Sequence, residues 1–173
     1  MRIYLIGFMG SGKTTVGKKL ANKLGYGFAD LDHMIELKCK ASVATLFEKY
    51  DEHAFRILEH ETLTGTAGMN RTVIATGGGT PCFYDNLSWM KAHGITVYLK
   101  LEPGILTHRL QASRKVRPLL KGKTETELQA YVITKLAERE PFYRQADITL
   151  RGENLDVNLL LSEITKTNNI SNA

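Results

Sequence analysis

Apolar residues recur along this chain in two rhythms, and each rhythm marks a kind of element. Arg2 to Ile6 is a short, almost continuous apolar run of the sort a buried strand carries. The Gly-rich turn after it opens into a stretch where Val16, Leu20 and Leu24 recur at four-residue spacing, the period of a helix face, and Gly25 is the expected stop. A second strand is expected near Tyr26 to Asp30, followed by a helical stretch carrying Met34, Ile35 and Leu37. Ser42 and Asp51 stand as N-caps of two further helices, about 43 to 50 and 52 to 67.

The second half repeats the alternation. Thr72 to Thr76 is apolar and β-branched, bounded by Arg71 and by Gly77-Gly78-Gly79, and reads as a central strand; Ile95 to Leu101 reads as another. Between them Asn86 to His93 has helical character, with Gly94 as its expected C-cap, and Pro103 sits where the next helix begins. Thr124-x-x-Glu127 is a capping box opening a long helix toward Gln145, which Pro141 is expected to kink or end early. Ile148 to Leu150 makes a fifth strand, Leu155 to Ile164 a closing helix, and Asn168 to Ala173 a frayed tail. Strands separated by helices require right-handed crossovers, so the expected fold is α/β: three layers, α/β/α, around a five-stranded parallel sheet. No repeat, linker or low-complexity stretch divides the chain, and residues 1–173 are expected to form a single domain.

Composition narrows the class. A chain of 173 residues, 43% hydrophobic and 24% charged, can bury roughly 70% of the surface it exposes when unfolded, enough for a core without staples. Cys39 and Cys82 have neither C-x-x-C spacing nor a nearby His pair, which fits a reducing cytoplasm better than a disulfide or zinc scaffold. The apolar run from Ile3 to Met9 is too short for a membrane span or a secretory signal, and no later window approaches membrane length. Two glycosylation-type triplets, at Asn70 and Asn169, therefore carry no weight. The net charge of +5 suits anionic ligands. From Arg109 to Lys123 there are six basic residues and no acid, with no aromatic side chain for base stacking, which argues against nucleic acid as the partner. That run is either a solvated loop or a lid that closes over a nucleotide and brings an arginine to a transferring phosphoryl group.

The strongest chemical signal is Gly7-Phe8-Met9-Gly10-Ser11-Gly12-Lys13-Thr14, a complete G-x-x-x-x-G-K-[ST] set between an expected strand and an expected helix. Its glycines let the backbone wrap a triphosphate so that amides of Gly10, Ser11, Gly12, Lys13, Thr14 and Thr15 and the helix N-terminus face the oxygens. Lys13 supplies a point charge at the β- and γ-phosphates, and Thr14 offers a hydroxyl to a bridging magnesium ion. Such a loop serves kinases, GTPases and motors alike. Asp30 and Asp32 follow the second strand at the edge where ligands gather in parallel sheets; one carboxylate could serve a magnesium-bound water and the other a substrate hydroxyl, or one could merely cap the next helix. The third strand is followed by glycines rather than an acid, which leaves Asp30 the better candidate for magnesium. Arg56, with Glu59 at i+3, and Arg139, between Glu138 and Glu140, are either held guanidiniums or solvated surface.

Taken together these residues resemble the shikimate kinase family, in the branch of P-loop proteins related to nucleoside monophosphate kinases. The resemblance rests on GFMGSGKT at Gly7, ADLD at Ala29 to Asp32 with Ile35-Glu36, FRILE at Phe55 to Glu59, ATGGG at Ala75 to Gly79, RPLL at Arg117 to Leu120 and EREPFY at Glu138 to Tyr143. It covers about Arg2 to Leu150 and implies a helical substrate-binding region, about 31–67, and a lid, about 109–123. The reaction implied is transfer of the γ-phosphoryl group of ATP to the 3-hydroxyl of shikimate, with Mg2+, in a cytoplasmic monomer that engages neither nucleic acid nor membrane. By position, Lys13, Asp32 and Arg117 would be catalytic, Thr14 and Asp30 would hold the metal, and Arg109 would stack on adenine. Arg56 and Arg139 would clamp the shikimate carboxylate beside Gly78 and Gly79. Thr80-Pro81 stands where many relatives are more aliphatic. A gluconate or nucleotide kinase of the same architecture is the nearest rival, and the two arginines argue against a neutral acceptor.

Overall fold

The structure, a computed structural model, describes residues 1–113, 120, 122–153 and 156–171, with side chains through residue 167. Its strands are β1 (Arg2–Ile6), β2 (Gly27–Asp30), β3 (Thr72–Ala75), β4 (Ile95–Lys100) and β5 (Ile148–Arg151). They form one parallel sheet in the order β2-β3-β1-β4-β5. The helices are α1 (Lys13–Leu24), α2 (Leu31–Cys39), α3 (Val43–Lys49), α4 (Glu52–Thr64), α5 (Asn86–His93), α6 (Pro103–Ala112), α7 (Glu125–Tyr143) and α8 (Val157–Ser171).

Side-chain alternation in β1 shows how the layers form. Ile3 and Leu5 face one side with Val16, Leu20, Val97, Leu160 and Ile164, a core shared with α1 and α8. Tyr4 and Ile6 face the other with Leu63, Met90, Leu106 and Val132, the core beneath α4 to α7. A third, smaller cluster of Ile35, Leu46 and Phe55 holds α2, α3 and α4 to one another, so the region expected to bind substrate has an apolar centre of its own. Among the described residues, no helix is long and apolar enough to cross a membrane.

Local cap chemistry behaves as the sequence implies. Ser42 and Asp51 accept from the Thr45 and Ala54 amides, the Thr124–Glu127 capping box closes, and Gly25 ends α1 in the left-handed region at φ 63°. Gly94 is the C-cap of α5 as expected, with an extended φ of 177°, and it is glycine because a Cβ there would stand 2.5 Å from the Arg2 carbonyl oxygen. Other expectations need correction. The second long helix stops at Thr64 and tightens into a 3-10 turn over Gly65–Gly68. Pro141 lies inside α7, in its last turn, and the helix runs two residues past it to close at Tyr143, short of Gln145, with the Arg144 amide on Glu140 O at 2.9 Å. Helix α8 runs on to Ser171, past the expected Ile164 and through the first part of the expected tail. Of the expected lid, residues 114–119 and 121, and Arg117 with them, lie outside the described residues.

Candidate active site

In a parallel sheet every strand delivers its carboxyl end to the same edge, and here that edge carries Gly7 to Gly12 after β1, Asp30 at the end of β2 and Thr76 to Gly79 after β3. The first of these segments turns through positive φ at Gly7 (137°), Gly10 (83°) and Gly12 (94°), which only glycine adopts without strain. At Gly7 the space is also denied, since a Cβ would meet Leu99 O at 2.8 Å. The loop delivers the chain into α1, whose first turn has no acidic residue to compete for an anion. Lys13 folds back over it, its Nζ donating to Gly7 O at 2.7 Å and Phe8 O at 2.9 Å. Ser11 is fully buried beneath the loop, and its Oγ has no hydrogen-bond partner among the described residues.

Thr14 Oγ1 donates to Asp30 Oδ2 at 2.8 Å. Two oxygen donors from different elements thus meet beside the phosphate loop. An oxygen set of this kind, one carboxylate and one hydroxyl, fits Mg2+, which takes one or two carboxylates and completes its shell with phosphates and water. Asp32 lies in the first turn of α2, two residues past the Asp30 end of β2, with Leu31 between them. That short step puts both acids on one wall of a cavity of about 540 Å³, within the range of small-molecule sites.

The same cavity is lined by two guanidiniums, Arg56 and Arg139. Arg56 is only 6% exposed, although it is an arginine on a helix. Its Nη1 donates to Glu59 Oε2 at 2.8 Å, its Nη2 to Glu52 Oε1 at 2.9 Å, and its guanidinium carbon lies 4.2 Å from the Phe83 ring centroid. Burial alone would disfavour its charge; Glu59 and Glu52 more than offset that, and its pKa lies above the ordinary arginine value. Arg139 rests over the Phe8 ring, 5.6 Å from its centroid. The arginines reach adjacent glycines: a Cβ at Gly79 would stand 2.7 Å from Arg56 Nη1 and Nη2, and one at Gly78 would stand 3.5 Å from Arg139 Nη1. The Tyr143 hydroxyl, fixed in the core, donates to Gly78 O at 2.5 Å and holds that segment in place. Nearby, burial pushes the Cys82 thiol up to about 11 despite the pull of Arg139 and Arg56, so it packs as an inert group.

The structure therefore brings Gly10, Gly12, Lys13, Thr14, Thr15, Asp30, Asp32, Arg56, Gly78, Gly79 and Arg139 to one cavity. Ser11 sits under its floor. Arg109 stands outside that wall, on α6, where Nη2 donates to Glu153 O at 2.8 Å and Nη1 lies 3.6 Å from where a Cβ of Gly12 would be. This places it between the phosphate loop and the turn after β5. Sequence reasoning passed over Glu52, Phe83 and Tyr143. Glu52 had a signal in its i−4 spacing from Arg56, and Tyr143 in its place i+4 from Arg139 at the end of EREPFY; Phe83 meets Arg56 from another segment, the turn after Gly79.

A model of the shikimate kinase family matches residues 9–168. Shikimate kinase of Parabacteroides distasonis is 44% identical over 154 residues, 89% of each chain, and that of Chlorobium limicola is 40% identical over 170 residues, 95% of this chain and 85% of the other. Among solved structures, shikimate kinase from Bacteroides thetaiotaomicron superposes with a TM-score of 0.87 at 40% identity, covering 100% of this chain and 99% of that one. The enzyme from Acinetobacter baumannii, in complex with shikimate, superposes with a TM-score of 0.83 at 36% identity, covering 99% and 93%.

Proposed function

The chain belongs to the shikimate kinase family, and we propose how its own residues divide the labour of that family's reaction. The enzyme transfers the γ-phosphoryl group of ATP to the 3-hydroxyl of shikimate, giving ADP and shikimate 3-phosphate. The hydroxyl oxygen forms a bond to the γ-phosphorus as the bond to the β,γ-bridging oxygen breaks, and the hydroxyl proton leaves by way of the Asp32 carboxylate, which passes it to solvent. Such transfers ask mainly for positioning and for neutralisation of charge.

Amides of the Gly7 to Thr15 segment cradle the β- and γ-phosphates. Lys13 exchanges the loop carbonyls it holds at 2.7 and 2.9 Å for phosphate oxygens. Thr14 and Asp30 would hold Mg2+, which when bound neutralises phosphate charge. Asp32 accepts a hydrogen bond from the 3-hydroxyl and so aims its oxygen at the phosphorus. Arg56 and Arg139 clamp the carboxylate at the far end of the ring, Gly78 and Gly79 offering bare backbone where a side chain would intrude. Arg109 flanks the adenine, and Arg117 carries the phosphate-contacting role implied by its place in the RPLL motif. The working unit in this reading is a single chain.

The observation that carries this reading is the convergence of Lys13, Asp32 and two guanidiniums on one cavity. A neutral acceptor would leave Arg56 and Arg139 facing no anion. Coupled ADP release, with the product identified by phosphorus NMR, tests it: ADP should appear only when shikimate and Mg2+ are both present, with one phosphate ester at the 3-position. ADP release unaffected by shikimate would overturn it.

A further inference from the structure

Glu59 is 1% exposed, and both of its carboxylate oxygens are engaged. Oε2 accepts from Arg56 Nη1 at 2.8 Å, and Oε1 accepts from Thr80 Oγ1 at 2.5 Å. A carboxylate held at both ends cannot rotate, and a guanidinium bonded to it keeps its aim. Thr80 is fully buried and lies outside the cavity wall, so its side chain reaches the site through Glu59, while its backbone continues the Gly77 to Gly79 turn. Its own placement is fixed from two further directions. The Thr80 amide donates to Gly77 O at 3.3 Å, and its carbonyl accepts from Asn86 Nδ2 at 2.8 Å. Asn86 is also fully buried, and because Nδ2 is committed to Thr80, Oδ1 is the atom that faces His60 Nδ1 at 2.6 Å; that ring nitrogen is therefore the donor. Gly77 leaves the room this needs, since a Cβ there would stand 2.5 Å from Glu59 Oε1 and 2.9 Å from Thr80 Oγ1. The same short turn sends Phe83 over the Arg56 guanidinium.

We propose that Thr80 is a positioning residue for the acceptor site, its hydroxyl locking Glu59 and through it the direction in which Arg56 meets the substrate carboxylate. The inference rests on the reading of Arg56 as half of a carboxylate clamp. Removing the hydroxyl leaves a buried carboxylate oxygen short of its donor, and the carboxylate turns to recover one, drawing Arg56 with it. The hydrogen bonds of Glu59, Thr80 and Asn86 run to Arg56, Gly77 and His60 and, among the described residues, none to the phosphate loop, so the effect falls on the acceptor rather than on ATP.

The test is steady-state kinetics and calorimetric titration of Thr80→Val, Thr80→Ser, Arg56→Lys and the Thr80→Val/Arg56→Lys pair. Thr80→Val should raise KM and Kd for shikimate by about tenfold, the low end of what outer-shell partners cost when removed, with kcat within about twofold and the KM for ATP unchanged. Thr80→Ser should restore wild-type values. In the Arg56→Lys background the valine change should have little further effect, because Thr80 acts through that guanidinium. Should valine disrupt the turn, Thr80→Ala takes its place with the same expectation. Unchanged shikimate affinity in Thr80→Val, equal loss of ATP and shikimate affinity, or full additivity with Arg56→Lys would each overturn the proposal. Unchanged shikimate affinity in Arg56→Lys would instead sink the clamp reading beneath it.

Discussion

A guanidinium taken out of water needs compensating charge and a geometry that leaves part of its donor fork open. Arg56 has the first in Glu59 and Glu52 and the second at the edge facing Gly79. Lysine offers a compact charge in place of that fork, so Arg56→Lys and Arg139→Lys should each weaken shikimate binding by about 1.5 to 3 kcal/mol, the range for hydrogen bonds to charged groups. ATP affinity should hold, and the double variant should lose less than the sum because both arginines grip one carboxylate. Calorimetry on the four proteins decides it; shikimate affinity that survives both single changes would place the carboxylate elsewhere. The two acids divide the other end of the reaction. In the proposed division Asp30, already bonded to Thr14 at 2.8 Å, serves the metal and Asp32 the hydroxyl. Asp30→Asn should therefore shift the Mg2+ dependence more than the shikimate KM, whereas Asp32→Asn should mainly depress kcat. Titrating both with Mg2+ and shikimate separates them, and matching profiles would refute the division.

At the scale of elements, what the sequence made legible was what local chemistry decides. Ser42, Asp51 and Thr124 cap their helices because a side-chain oxygen needs only an amide three residues on. The phosphate loop was readable for the same reason, its glycines and Lys13 lying within one turn of chain. Gly94 was legible as a C-cap, but the reason it must be glycine lies far away, in the Arg2 carbonyl of β1. Ala at that position keeps an ordinary extended φ but has no room, so Gly94→Ala should destabilise the protein by about 1 to 3 kcal/mol. Urea unfolding checks this, and an unshifted midpoint would contradict it. The contacts of Thr80 and Phe83 with the clamp were likewise hidden, since no spacing rule pairs a turn with a helix across a sheet edge.

Asp147 shows the same long reach in stability. It joins the entry of β5 to β4, accepting from the Thr96 amide at 2.8 Å and hydroxyl at 2.7 Å, with Lys91 Nζ 3.0 Å away. Burial works against its charge, but Thr96 and Lys91 outweigh burial and hold its pKa below the ordinary 3.8. A carboxyl depressed in the folded state adds stability that is fully present above its unfolded value and is lost as pH falls through the folded one, here below about pH 4. Asp147→Asn should therefore lower Tm at neutral pH, and the gap to wild type should close as pH falls toward about 2. A gap that stays constant over that range would show that the charge plays no part.

Across the whole molecule, the parallel sheet carries three short segments to one edge, and two separate apolar layers hold that edge rigid. The phosphate loop draws its rigidity from β1 and α1, while Arg56 stands on α4, packed against a small core of its own. The enzyme thus has a nucleotide half set by the sheet and an acceptor half set by the α2 to α4 cluster, meeting at Gly77 to Gly79. Its central claim is that the acceptor half reads a carboxylate. The most direct measurement is the ratio of kcat/KM for shikimate to that for its carboxamide, which keeps the ring and hydroxyls and removes the charge. Two guanidiniums facing that group predict a ratio of at least about a hundredfold, the equivalent of about 3 kcal/mol of transition-state binding; a ratio within about threefold would contradict the account.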